Sequence, residues 1–301
     1  MGNVVNKKII CWTHYDLDGV ISYLVLRWTL GKKIPYKTST PRKFREDFTK
    51  WLVNHNISDY DQIFITDLDV GEHKDLIDKS NVFIIDHHET HEKNMDYKQA
   101  VSIIKKYKSA AELAYKAFKK LYNIKLSDAQ KKLIILASDY DSYTLQIPES
   151  KKLDCVFWNT NKSFDSFIRN FSKGFYGFSL EQENIIKLHE QKIKRIKDSM
   201  NVFYGKIKIQ NQEQKVYATF ANYNDNEISD ILLNDFNADI AIVVNSKSNH
   251  ISFRRPKNNK TNINLSILAE KLTNGGGHEY ASGGELTNKF LEFTKLLQQI
   301  K

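Results

Sequence analysis

Cysteine is nearly absent. The chain has two in 301 residues, Cys11 and Cys155, far apart in sequence. That excludes a disulfide framework and fits two reduced, partly buried thiols of a cytoplasmic protein. Proline is also scarce, at four residues, so long disordered linkers are not expected. No stretch approaches the ~18 consecutive apolar residues of a membrane span, and no membrane partner is expected. The N-terminal MGNVVNKKIICWTH lacks the apolar core and small-residue cleavage site of a signal peptide. Its Met-Gly start lacks Ser or Thr at the sixth position, which argues against myristoylation. There is no internal repeat and no low-complexity tract.

The length suits two domains of ordinary size. Charged residues make up 27% and hydrophobic ones 41%, as in ordinary globular proteins. The formal net charge is +9. Such a balance favours a polyanionic partner such as nucleic acid, although lysine is spread along the chain and much of it belongs to solvated surface.

Strand-like and helix-like segments alternate in the first half. Lys8–Thr13, Gln62–Thr66 and Asn81–Ile85 are short apolar, β-branched or aromatic runs. Val20–Leu30 has an apolar helical pattern, and Ser109–Tyr122 an amphipathic one that opens on a Ser109-x-x-Glu112 capping box. Alternation of this kind predicts a mostly parallel α/β sheet with helices on both faces. A long polar helix, about Ser179 to Met200, is the expected connector. Beyond it come strands at Val202–Ile209, Lys215–Ala221, Asp239–Asn245 and His250–Arg254, and a helix at Ile263–Leu272 that stops at Asn274-Gly275-Gly276-Gly277. The expected division is residues 1–195 and 196–301, the second a smaller α/β domain.

Four clusters carry chemistry. Thr13-His14-Tyr15-Asp16-Leu17-Asp18-Gly19 follows the first strand, and an extended loop would turn His14, Asp16 and Asp18 to one side. Asp67 ends the second strand. Asp86-His87-His88 ends the third. Asp139 and Asp141 close an apolar helical run. One such cluster could be a plain Asp/Gly turn or a helix cap. Three consecutive strand ends finishing in metal-type ligands are a different matter, because the strand ends of a parallel sheet converge in space. Imidazole with hard carboxylates suits Mn²⁺, Mg²⁺ or Zn²⁺. An EF-hand is excluded by the lack of a third Asp/Asn and of a distal Glu at the required spacing.

His-x-Asp-x-Asp-Gly, a strand-ending Asp, Asp-His-His and a later Asp together resemble the four motifs of the DHH phosphoesterases. Ser252-Phe253-Arg254 and Gly275-Gly276-Gly277-His278 resemble the accompanying DHHA1 domain, so the resemblance spans essentially the whole chain. It implies that His14, Asp16 and Asp67 hold one divalent cation. Asp18, Asp67, His87 and the fourth-motif Asp would hold a second, with Asp67 bridging. His88 would face the substrate phosphate, and Asp86 would orient an imidazole from behind. Two cations about 3.5–4 Å apart can share an attacking hydroxide and neutralise developing charge. Manganese is the expected metal, with magnesium the alternative. For the fourth motif Asp141 is favoured and Asp139 retained.

In the C-terminal part, the backbone of Gly275, Gly276 and Gly277 can approach an anion closely, His278 can add a donor, and Arg254 can clamp a phosphate or stack on a base. A plain helix C-cap is the other reading of the glycines. Ser109 lies at a helix N-terminus, where it either caps the helix or touches phosphate. The resemblance is closest to the short-oligoribonucleotide nucleases, so short single-stranded RNA or DNA is the expected partner and substrate. Alternatives are a phosphodiesterase for linear dinucleotides or 3′,5′-bisphosphate nucleotides, and a non-catalytic nucleotide binder. An inorganic pyrophosphatase is disfavoured by the His-x-Asp-x-Asp spacing and the glycine segment. A homodimer is compatible with the sequence.

Overall fold

The protein is described from a computed structural model covering residues 7–222, 224–256, 263–277 and 279–301. His278 therefore lies outside the described residues. The chain forms two compact units that divide between Lys187 and Leu188.

The first unit runs β1 (Ile9–His14), α1 (Leu17–Leu30), β2 (Tyr36–Ser39), α2 (Phe44–Leu52), β3 (Gln62–Thr66), α3 (Lys74–Ile77), β4 (Val82–Asp86), α4 (Glu89–Glu92), β5 (Val101–Ile104), α5 (Ala110–Tyr122), α6 (Asp128–Asp141), α7 (Pro148–Asn159) and α8 (Ser163–Phe171). Its five strands are all parallel, in the order β2-β1-β3-β4-β5. The expected open α/β sheet is what forms.

Strand alternation sends successive side chains to opposite faces, and each face has its own core. Ile9 and Cys11 of β1, with Phe64 and Ile85, pack under α1, α5, α6, α7 and α8. Ile10 and Trp12, with Ile63, Ile65 and Ile84, pack against α2. Trp12 meets Phe44, Phe48 and Trp51 edge-on at centroid distances of 5.7, 5.2 and 5.8 Å. Truncating a buried indole of this kind costs roughly 3–5 kcal/mol.

The polar helix α9 (Leu180–Ser199) carries the chain from one unit into the other. The second unit contains β6 (Val202–Ile209), β7 (Gln212–Phe220), α10 (Asp225–Asp235), β8 (Ile240–Asn245), β9 (His250–Arg254), α11 (Leu265–Leu272), β10 (Gly276–Gly277), β11 (Ala281–Glu285), α12 (Asn288–Thr294) and β12 (Gln298–Gln299). The strands form one mixed sheet, β10-β11-β9-β8-β7-β6-β12, in which only β7 and β8 pair in parallel. Leu265, Leu268, Leu272 and Phe290 of α11 and α12 pack on one set of strand side chains. Ile228 and Leu232 of α10 pack with Met200 against a separate set that includes Ala241 and Val243. Among the described residues no helix is long and apolar enough to cross a membrane.

Candidate metal centre and active site

The centre forms at the carboxyl edge of the parallel sheet. β1 and β3 are neighbours with Thr13 opposite Thr66, and β3 and β4 are neighbours with Thr66 opposite Ile85. That register brings His14 and Asp86, the last residues of β1 and β4, and Asp67, the residue just past β3, to one level.

The first motif is tighter than an extended loop. The chain turns from His14 into α1 within two residues, with Asp16 as N-cap and Asp18 already in the first helical turn. Asp16 Oδ1 accepts from the Gly19 N–H at 2.8 Å. A Cβ on Gly19 would lie 2.1 Å from the His14 carbonyl oxygen, so only glycine permits this close return. His14 Nδ1 sits 2.6 Å from Asp16 Oδ2. Both oxygens of Asp18 point at the start of α5, accepting from Ala110 N–H at 2.6 Å and Ala111 N–H at 3.0 Å. The positive end of that helix is thus directed at Asp18.

Ser109 does not lie open to a ligand. It is 0% exposed, its hydroxyl accepts from Glu112 N–H, and it bonds the Ser138 hydroxyl at 2.7 Å. Of its two sequence readings, the cap is the one its position serves.

Three groups of donors come within 4.8 Å of one another: His14, Asp16 and Asp67; Asp18, His87 and Asp141; Asp67, His87 and His88. His87 Nε2 lies among carboxylates, 3.4 Å from Asp67, 3.5 Å from Asp141 and 3.8 Å from Asp18. Asp67 is common to two of the groups. It is 2% exposed and is held at φ +55°, in the left-handed region. Its Oδ2 is buried and has no hydrogen-bond partner among the described residues. A buried, unpaired carboxylate oxygen is costly unless a cation meets it. The donor set, carboxylate with imidazole, fits Mn²⁺, Mg²⁺ or Zn²⁺.

The two fourth-motif acids face different ways. Asp141, the last residue of α6, joins Asp18 and His87. Asp139 turns to the backbone and accepts from Gln146 N–H and Ile147 N–H, both at 3.0 Å, at the start of α7.

Crowding shows in the electrostatics. Burial first, and then the neighbouring carboxylates, push Asp67 and Asp141 well above the usual carboxylate range, and Asp18 upward as well. Burial also acts to raise Asp16, but His14 and the Gly19 N–H outweigh it and hold that carboxyl low. Burial lowers His87. For His88 burial works in the same direction, but Asp86 overcomes it and carries the imidazole up to about 9.

The Asp86 carboxylate has a second partner that the sequence reading missed. Its Oδ1 lies 2.7 Å from His88 Nδ1, and its Oδ2 lies 2.7 Å from His91 Nδ1. His91 Nε2 is in turn 2.7 Å from the Tyr97 hydroxyl. The signal was present: His91 follows His88 by three residues, one turn of a helix, so both side chains can return to the strand end.

In the second unit the glycines form a hairpin strand where a loop was expected. Gly276 and Gly277 of β10 pair with Gly283 and Ser282 of β11. A Cβ on Gly275 would lie 2.0 Å from the Gly283 carbonyl oxygen, whereas one on Gly276 would meet nothing nearer than 3.9 Å. Backbone packing therefore explains Gly275, and Gly276 has open space beside it. Arg254 is part-buried, donating to the carbonyls of Phe253 and Ser282 and to Asn226 Oδ1.

An acid-and-imidazole centre at the carboxyl edge of an open parallel sheet has donors that suit divalent cations. Two family models divide the chain accordingly. The DHH family N-terminal domain matches residues 8–138 and the DHHA1 domain matches residues 200–301. The chain carries a DHH family N-terminal domain followed by a DHHA1 domain. No curated sequence matches it.

Among solved structures it is similar to the pGpG-specific phosphodiesterase PggH of Vibrio cholerae, at 14% identity and TM-score 0.59, covering 96% of both chains. An exopolyphosphatase-related protein of Bacteroides fragilis gives 16% identity and TM-score 0.55, over 97% of this chain and 90% of that one. RecJ of Thermus thermophilus in complex with Mn²⁺ gives 12% identity and TM-score 0.57, over 96% of this chain and 51% of that one. At these identities the likeness establishes the fold.

Proposed function

We propose that the chain hydrolyses phosphodiester bonds of short single-stranded oligonucleotides, oligoribonucleotides above all, to mononucleotides. Two divalent cations, manganese before magnesium, are its cofactors. The observation that carries this reading is the three donor groups linked through Asp67 and His87, with one buried oxygen of Asp67 left without a hydrogen-bond partner among the described residues.

In this reading His14, Asp16 and Asp67 hold one cation, and Asp18, Asp67, His87 and Asp141 hold the other. Bound cations would supply Lewis acidity for the phosphoryl oxygens and lower the pKa of water. His88 is the group that meets the substrate. With Asp86 on Nδ1, its Nε2–H is left to donate to a non-bridging phosphate oxygen. In the metal-free protein Asp86 carries the His88 imidazole up to about 9, and cations beside it would lower that value. Asp139 and Ser109 hold the architecture around the centre. The second unit contributes binding through Arg254 and the Gly275–Gly277 segment.

Likeness to the pGpG-specific phosphodiesterase of Vibrio cholerae favours a second reading, a dinucleotide phosphodiesterase, because that chain matches this one over 96% of both lengths. Product analysis on labelled five-mer RNA, five-mer DNA and a linear dinucleotide with Mn²⁺ separates the two. Stepwise release of mononucleotides from five-mer RNA supports the oligoribonuclease reading, and turnover confined to the dinucleotide supports the narrower one. Undiminished turnover in excess chelator would sink both.

A further inference from the structure

Behind His88 lies a chain of groups that a metal-binding role does not require. Asp86 is 0% exposed and so is His91. Each Asp86 oxygen meets one imidazole Nδ1 at 2.7 Å, His88 on one side and His91 on the other. The carboxylate can accept from both rings only if each carries its proton on Nδ1. His91 Nε2 then accepts from the Tyr97 hydroxyl 2.7 Å away. Both oxygens of Asp86, both ring nitrogens of His91 and the Tyr97 hydroxyl thereby have their partners. The other acid facing His91 is Asp69, whose Oδ1 lies 3.9 Å from Nδ1. Gly71 lies close against the buried ring: a Cβ there would approach His91 Cδ2 to 3.3 Å.

A carboxylate anchored through one oxygen can rotate about its Cβ–Cγ bond and carry its partner ring with it. Anchored through both, it has one orientation. We propose that His91, backed by Tyr97, is a positioning residue for the reaction: it locks the Asp86 carboxylate and so fixes the ring of His88 against the substrate phosphate. This rests on the reading of His88 as the phosphate-facing group. A simple packing role would be filled by any apolar side chain of similar volume. The structure instead buries an imidazole with both nitrogens matched, where each unmatched polar atom would be costly.

The test begins on metal-free protein, where no turnover is needed. Proton NMR should show strongly downfield Nδ1–H resonances for both His88 and His91 in the wild type. In His91→Leu the His91 signal disappears and that of His88 broadens or shifts. A His88 signal left untouched would overturn the proposal, whatever the substrate proves to be.

Kinetics follow with Mn²⁺ and the substrate found for the wild type. His91→Leu should lower kcat about 10- to 100-fold, as loss of such outer contacts commonly does, while KM and calorimetric Mn²⁺ affinity stay within about threefold. Tyr97→Phe, the milder change if His91→Leu folds poorly, should lower kcat about three- to tenfold. His91→Asn retains an N–H toward Asp86 and should recover most of the loss. Unchanged kcat in His91→Leu, a loss of Mn²⁺ affinity matching the loss of kcat, or no recovery in His91→Asn would each refute it. A wild type inactive on every phosphodiester would remove the functional reading and leave the NMR result standing.

Discussion

Replacing Asp67 tests charge and backbone together unless the substitution is chosen with its conformation in view. The residue sits at φ +55°, where an alanine costs roughly 1–2 kcal/mol and an asparagine far less. Asp67→Asn keeps the shape and removes one carboxylate from a site where Asp18, Asp16 and Asp141 repel it. At a pH above its raised pKa, where the carboxyl is charged, relief of burial and repulsion should stabilise the metal-free protein by on the order of 1 kcal/mol, or about 2–4 °C in Tm for a unit of this size. In Asp67→Ala the backbone cost cancels that gain. Both variants should lose turnover by at least ~10³-fold, about 4 kcal/mol, because the shared donor is gone. Scanning fluorimetry with chelator and with Mn²⁺, beside a turnover assay, reads all of this. In Asp67→Asn the rise in Tm on adding Mn²⁺ should shrink sharply. Turnover within ~10-fold of wild type, or an undiminished response to Mn²⁺, would refute the bridging role.

Four further outcomes are expected. Asp67, Asp141 and His88 have folded pKa values above their ordinary ones, so the stability they contribute is complete at low pH and lost as pH rises through the raised values. Metal-free Tm should therefore fall from about pH 4 upward, and the Mn²⁺ increment should grow with pH, since cations replace those protons; a pH-independent increment would contradict the donor set. Asp141→Asn should weaken Mn²⁺ in calorimetry with little change in Tm, whereas Asp139→Asn, which disturbs two backbone contacts, should cost roughly 1–2 kcal/mol of stability and leave the metal bound; the reverse pattern would reassign the ligand. Arg254→Ala should raise KM on short oligonucleotides about 10- to 100-fold with kcat nearly unchanged, and an equal loss of kcat would place it in the chemistry. Gly276→Ala should fold normally and bind substrate more weakly, while Gly275→Ala should lower Tm by several degrees; equal Tm losses would show that Gly276 is also needed for packing.

Much of the architecture was legible because the buried strands announce themselves. Gln62–Thr66, Val202–Ile209 and His250–Arg254 have the same bounds in sequence and structure. The strands Tyr36–Ser39 and Val101–Ile104 were not read. They are short edges, paired on one side only and partly exposed, so their composition lacks the continuous apolar run of a central strand. The donors at the strand ends were legible from order and spacing. What was not legible is direction: the sequence sets Asp139 and Asp141 side by side, and only the turn into α7 takes Asp139 to backbone amides. His91 went unread for a related reason, since its partners at Asp86 and Tyr97 follow from the fold of α4. The glycine segment looked like a loop because β10 is two residues long and owes its strand character to β11.

The donors gathered around Asp67 all lie between His14 and Asp141, and the unit that holds them is complete at Lys187. On the ribosome, synthesis runs from the N-terminus at roughly 5–20 residues per second, and domains generally fold as they emerge. The cation-binding pocket can thus assemble on a nascent chain some seconds before the second sheet exists.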